Sequence, residues 1–314
     1  MLTPVVRFPV LIFWILFNLF VLAMLALDLG VLNRRSRTVG LRQALIWSGL
    51  WIALAAAFAV LELFWHGRAQ ALQFTTGYII ELSLSVDNLF VFLLIFRYFD
   101  VPEEYRYKVL FWGIIGALVM RGAFILAGVG LIQRFNWITY VFGALLVYSG
   151  LKLLRQGEQK IHPEKNIVLR LFRRALPVTK EYVGGRFLTR EAGQKGLCAT
   201  PLLVALIVVE TSDVILTVDS IPAVLAITLN AFVVYTSNVF AILGLRSMYF
   251  ALAGMIDRFH YLHYGLSVVL IFTGLKMLGS HYVEIPTEWA LVVVLFVLGI
   301  SIAASLLYPQ KKRE

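Results

Sequence analysis

The sequence predicts an all-α polytopic membrane protein of about nine transmembrane helices with an inverted repeat of three plus three helices. Three observations carry that expectation. Of 314 residues, 60% are hydrophobic and only 15% charged, and the mean hydropathy is +0.84, which leaves too little polar surface for a soluble domain. The apolar runs are about 18 to 27 residues long, the length that carries a helix across roughly 30 Å of hydrocarbon, whereas barrel strands would be about half that and alternate. Finally, one stretch of three spans is written twice.

Reading apolar runs between charged or Pro/Gly-bearing breaks places the spans at 10–32, 42–64, 72–96, 107–131, 137–154, 200–226, 230–252, 264–280 and 288–308. The first run is too long for a signal peptide, follows a single Arg and lacks a small-x-small cleavage site, so it reads as a retained helix. Arg34, Arg35, Arg37 and Arg42 follow span one, and Arg97, Arg106 and Lys108 surround the third loop. Ten Lys/Arg against four Glu lie between Arg155 and Lys195, and the chain ends Lys311-Lys312-Arg313 before Glu314. With nine spans all of these fall on one side, which puts the N-terminus outside and the C-terminus in the cytoplasm. The resulting organisation is 1–70, helices one and two; 71–154, the first repeat; 155–198, a basic cytoplasmic loop; 199–280, the second repeat; and 281–314, helix nine and a basic tail.

The net charge of +10 then reflects topology and contact of the basic loop with anionic lipid, not a nucleic-acid footprint. One cysteine, Cys198, excludes an internal disulfide and a thiolate metal site. The five histidines fall near helix ends or in loops and read as interface residues.

The repeat pairs "RFNWITYVFGALLVYSGLKLL" (134–154) with "RFHYLHYGLSVVLIFTGLKML" (258–278) without gaps. Upstream, Arg121 corresponds to Arg246 and "SLSVDNLF" (83–90) to "ILTVDSIP" (215–222). Each unit holds three spans, so the second copy enters from the opposite side of the membrane, as in many transporters.

The repeat aligns Glu81 with Asp213, Asp87 with Asp219 and Asn88 with Ser220, near the middles of spans three and six. Each such acid costs roughly 2.5 to 3.5 kcal/mol on insertion scales. Glu210 adds another on span six, and Asp28 one near the end of span one. Pairing with Arg121 and Arg246 is a purely structural alternative, but two arginines cannot compensate five or six acids. The remainder must be protonated or bind a cation. At 100° per residue Glu81 and Asn88 share a helix face while Asp87 is rotated by about 120°, so ligands must be shared between spans three and six or the helix must unwind. Pro222 cannot donate to the Val218 carbonyl, and a broken helix beside the acids is expected. Carboxylate, amide, carbonyl and the hydroxyls of Ser83, Ser85, Thr217 and Ser220 form an oxygen-only donor set, suited to Mg²⁺, Ca²⁺ or Mn²⁺.

A rival reading is an enzyme in which two intramembrane aspartates share a proton. "SVDN" and "TVDS" lack the Gly-x-Gly-Asp pattern of such proteases, and the surplus acids would go unexplained. A third reading is a membrane scaffold that supports metalation of exported proteins, which would need the basic loop.

With these residues in view, the chain resembles the TerC family of bacterial membrane proteins, within it the Alx-type branch, through "TGYIIELSLSVDNLFVF", "VVETSDVILTVDSIPAVLA", "TSNVFAILGLRSMYFALAG" and "GLSVVLIFTGLKML". The resemblance implies export of Mn²⁺ across the inner membrane. It further implies that Glu81, Asp87, Glu210, Asp213 and Asp219 form the metal pathway with Asn88 and Ser220 as neutral ligands. Many members carry Lys directly after the motif's Glu, where this chain has Leu82. The expectation is therefore a non-enzymatic, multi-pass inner-membrane transporter working by alternating access. It has no resident cofactor, and Mn²⁺ is its cargo. Another hard cation such as Ca²⁺ is the alternative.

Overall fold

A computed structural model describes residues 4–32, 40–156, 176–179, 181–190, 197–253, 261–282 and 285–307; the side chains of 4–11, 28–32, 87 and 156 lie outside that description. Asp28 and Asp87 are therefore placed by backbone alone. Among the described residues there are nine helices and one two-stranded hairpin.

Two compact units divide the chain, Met1–Thr38 and Val39–Glu314. The first contains α1 (Pro4–Leu32). Within it, Asn18 Nδ2 donates to the Trp14 carbonyl at 2.8 Å, an intrahelical bond that lowers the cost of an amide in an apolar run.

The second unit contains α2 (Leu41–His66), α3 (Arg68–Tyr98), α4 (Glu103–Arg134), α5 (Ile138–Gln156), α6 (Pro201–Leu225), α7 (Ala231–Ala253), α8 (Leu262–Leu278) and α9 (Thr287–Leu307). These follow the apolar runs to within a few residues. Seven helices are long and apolar enough to cross a membrane. Those that fall short are α8, with 17 residues, and the described apolar stretch of α1, Ile12–Leu27. Gly67, at φ +87, separates α2 from α3 with no further loop, a conformation that costs glycine little.

The predicted break at Pro222 is absent. Helix α6 runs through it to Leu225. The proline sits in the last turn, where the ladder is about to end, so it costs one hydrogen bond to Val218 instead of splitting the helix.

Packing is tight where side chains are small. Helices α5 and α8 touch at glycines: a Cβ on Gly143 would lie 3.0 Å from the Gly274 carbonyl oxygen, and one on Gly150 would lie 2.8 Å from that of Ser267. In the gapless alignment of 134–154 with 258–278, Ser267 matches Gly143 and Gly274 matches Gly150. The contacts are thus reciprocal, each position meeting the partner of the other, as in a two-fold interface. Small residues allow the backbone approach that drives helix association in lipid. The same exchange pattern holds for whole helices, since α3 packs on α7 and α4 on α6. On the other flank, Phe58 of α2, Phe74 of α3 and Phe240 of α7 form an aromatic cluster with centroids 5.0 to 5.8 Å apart.

The segment expected to be a basic cytoplasmic loop carries secondary structure and tertiary contacts in its described parts. Strands β1 (Leu188–Thr189) and β2 (Cys198–Ala199) pair antiparallel. Tyr182 donates its hydroxyl to the Phe99 carbonyl at 2.5 Å, and Lys108 Nζ donates to the Gly185 carbonyl at 3.2 Å. The start of α6 therefore lies at the same end of the unit as the α3–α4 turn, so α3 and α6 run antiparallel. No hydropathy signal marks this hairpin.

Candidate functional site

A polar stripe runs along α3 through Glu81, Ser85 and Asn88, spaced i, i+4, i+7, so that one helix face carries all three. Helix α6 carries a matching stripe, Asp213, Thr217 and Ser220, at the same spacing. These are the residues that the repeat alignment sets against one another. All six are at most 3% exposed. Such burial of oxygen atoms in an apolar interior is costly without partners.

Arg121 of α4, 1% exposed, joins the stripes. Its Nη2 and Nε donate to the two oxygens of Asp213 at 3.1 and 3.3 Å. Nη1 pairs with Glu81 and donates to Asn238 Oδ1 of α7 at 3.2 Å. Asn88 can face the cluster in two ways. One sets its Nδ2 3.5 Å from Asp213 Oδ1. The other lets its oxygen accept from Arg121 Nη2 at 3.2 Å while its nitrogen donates to the Leu84 carbonyl at 3.2 Å. The second satisfies both ends of the amide, and we assign it. The guanidinium then makes four hydrogen bonds, and Nη1 adds the ion pair with Glu81.

The two carboxylates outnumber their arginine. Thr217 adds a donor to Asp213 at 3.4 Å. Among the described residues, the hydroxyls of Ser85 and Ser220 have no hydrogen-bond partner, and Glu81 makes no hydrogen bond beside its ion pair with Arg121. Glu210, one turn before Asp213, feels the Asp213 charge. Its carboxylate lies against α4 at Gly116, where a Cβ would overlap it. The interior thus offers carboxylate, amide and hydroxyl oxygens, the donors that hard divalent cations take.

The expected residues do not all converge. Glu81, Asn88 and Asp213 meet directly at Arg121, Ser220 continues their stripe, and Glu210 flanks it. Asp219 faces another helix: it accepts from Ser149 Oγ of α5 at 2.7 Å, within electrostatic reach of Lys152. Asp87 belongs to α3, with its side chain outside the described residues. Ser83 turns back onto its own helix, donating to the Ile79 carbonyl at 2.6 Å. Among the described residues no group of three or more His, Cys, Asp or Glu forms a ready metal cluster. Sequence reasoning missed Asn238 and Ser149. A lone Asn amid "FVVYTSNVFAIL" was the available signal, since amides are rarely left inside apolar helices without a partner. Arg246 is also buried, 6% exposed on α7.

Comparison with known proteins adds family context. The model of the "Integral membrane protein TerC family" matches residues 66–313. An uncharacterized membrane protein of Myxococcus xanthus is 49% identical over 294 residues, 94% of this chain and 92% of that protein. Alx of Escherichia coli strain K12, provisionally named a membrane-bound redox modulator, is 44% identical over 295 residues, 91% of each chain. A protein with the same name from Photorhabdus laumondii is 41% identical over 298 residues, 92% of each chain. No solved structure matches.

Proposed function

The chain belongs to the TerC family of integral membrane proteins, and from that premise we propose that it transports a divalent metal cation, exporting Mn²⁺ from the cytoplasm through the carboxylate site between α3 and α6. The observation that carries the reading is the facing pair of buried stripes, Glu81/Ser85/Asn88 and Asp213/Thr217/Ser220, in which the Ser85 and Ser220 hydroxyls have no partner among the described residues. A purely structural ion pair would have no use for those orphaned groups. Another hard cation, Ca²⁺ above all, fits the same donors.

Alternating access would follow from an inverted repeat, α3–α5 against α6–α8, rocking about the α3/α6 region. The antiparallel course of α3 and α6 and the reciprocal glycine contacts of α5 with α8 support it. So do the contacts of Tyr182 and Gly185 with the α3–α4 region, since the nine-span reading assigns both segments to the cytoplasm. We place the protein in the bacterial inner membrane, N-terminus outside, with the basic segment near anionic lipid. It is read as a transporter and not as an enzyme. The redox label of the Alx relatives finds no dithiol here, because Cys198 is the single cysteine.

The test is cellular metal content after a Mn²⁺ load, in cells expressing the natural chain or equal amounts of Asp213→Asn or Asp87→Ala. Export predicts lower manganese with the natural chain alone and other metals unchanged. Equal manganese in all three contradicts it.

A further inference from the structure

Resting on the reading above, we propose that Arg121 is a tethered occupant of the cation site. Its guanidinium holds Glu81 and Asp213 when no metal is bound, and it moves onto Glu210 when a divalent cation takes its place. Glu81 and Asp213 are the matching acids of the two repeats, and both touch the same guanidinium. A metal bridging them would occupy the volume the guanidinium fills. It would also set two positive charges within a few ångströms of a third, which repel strongly at the low effective dielectric of a protein interior. Metal and guanidinium are therefore mutually exclusive.

An exit for the arginine is built alongside. Helices α4 and α6 both begin at the end marked by the α3–α4 turn, so they run parallel. Glu210 precedes Asp213 by three residues, about 4.5 Å along the axis, and Gly116, against which the Glu210 carboxylate lies, precedes Arg121 by five. Helical side chains lean toward their own N-terminus, so a shift toward Glu210 follows the natural lean of Arg121. Gly116 leaves the space in which the Glu210 carboxylate lies against α4. Asn238 and Asn88, both neutral acceptors, can release the guanidinium without stranding a charge.

This arrangement accounts for a feature the transport reading leaves open, namely why a cation site carries a buried arginine held between its two matching acids. The tethered cation keeps the acids from being empty and charged between cycles. It also makes metal affinity the difference between two cations' holds on the same oxygens.

The experiment is Mn²⁺ titration of the purified full-length protein in lipid nanodiscs, by calorimetry, for the natural chain, Arg121→Gln, Glu210→Gln and the double variant. Competition predicts that Arg121→Gln binds Mn²⁺ at least tenfold more tightly. Glu210→Gln weakens binding several-fold in the natural background and has no effect once Arg121 is gone. Should Arg121→Gln not yield folded protein, Arg121→Lys carries the test, with tighter binding expected because a lysine holds Asp213 through one point charge. If the natural chain binds Mn²⁺ and neither Arg121 variant binds more tightly, the proposal is overturned and the metal reading stands. If Glu210→Gln weakens binding equally in both backgrounds, Glu210 is a direct ligand and the exit is wrong. If no variant binds Mn²⁺, the metal site itself fails, and the tethered occupant with it.

Discussion

Glu81 of α3 and Asp213 of α6 occupy matching places in two copies of one sequence pattern, and both are held by Arg121. The molecule has therefore brought these two matching acids to one point and set a single positive charge from a third helix against both. Removing one partner of such a buried pair leaves an uncompensated charge, which costs about 3 to 5 kcal/mol.

That cost makes a coupling prediction. Asp213→Asn and Arg121→Gln should each lower thermal stability in detergent, and the double variant should lose less than the sum of the two. A double-mutant cycle on melting temperature reads this directly. Strictly additive losses would mean that the two side chains do not act as a pair.

Gly116 carries a second prediction. A methyl group there would overlap the Glu210 carboxylate, so Gly116→Ala must push Glu210 away from α4. Transport should fall by an order of magnitude or more while the melting temperature drops only slightly, since the moved group is the end of a flexible side chain. Flux in reconstituted vesicles beside a melt separates the two effects.

The α5–α8 contact is less forgiving. Gly274→Val would force a side chain against the Gly143 carbonyl oxygen, 2.7 Å from an added Cβ, and overpacking of this kind costs about 1 to 3 kcal/mol. Gly130→Val, on α4 with open space around it, serves as the control. The first variant should melt well below the second.

Tyr182 lies outside the membrane helices. Its hydroxyl is pushed up to about 12, first by burial and then by the charge of Asp100. Because the folded value lies above that of free tyrosine, near 10, its contribution is complete below pH 10 and is lost as pH rises through 12. Tyr182→Phe removes the bond to the Phe99 carbonyl at a cost of about 1 kcal/mol. The stability gap between the natural chain and Tyr182→Phe should close between pH 10 and 12, as read by melts across that range.

How far the site could be read from sequence follows from what each residue's neighbours supply. The spans were legible because lipid forces long apolar runs; span 72–96 lies inside α3, Arg68–Tyr98. Glu81 and Asn88 were legible as one face because helical geometry fixes their angle. The partner of Asp219 was not, since Ser149 lies on α5, a helix whose rotation depends on its glycine contact with α8. Asn238 was hidden for a similar reason: its match in the first repeat is not polar, so the repeat gave no alert. The hairpin beside Tyr182 was missed because two-residue strands leave no periodicity to detect.

The central claim is that the paired stripes of α3 and α6 carry a divalent cation across the membrane. The most direct measurement is Mn²⁺ uptake into proteoliposomes holding equal amounts of the natural chain, Glu81→Gln or Asp213→Asn, followed with a metal-quenched dye trapped inside. The account predicts saturable quenching with the natural chain and at least a tenfold slower rate with either variant. Equal rates in all three, or no uptake above empty vesicles, would contradict it.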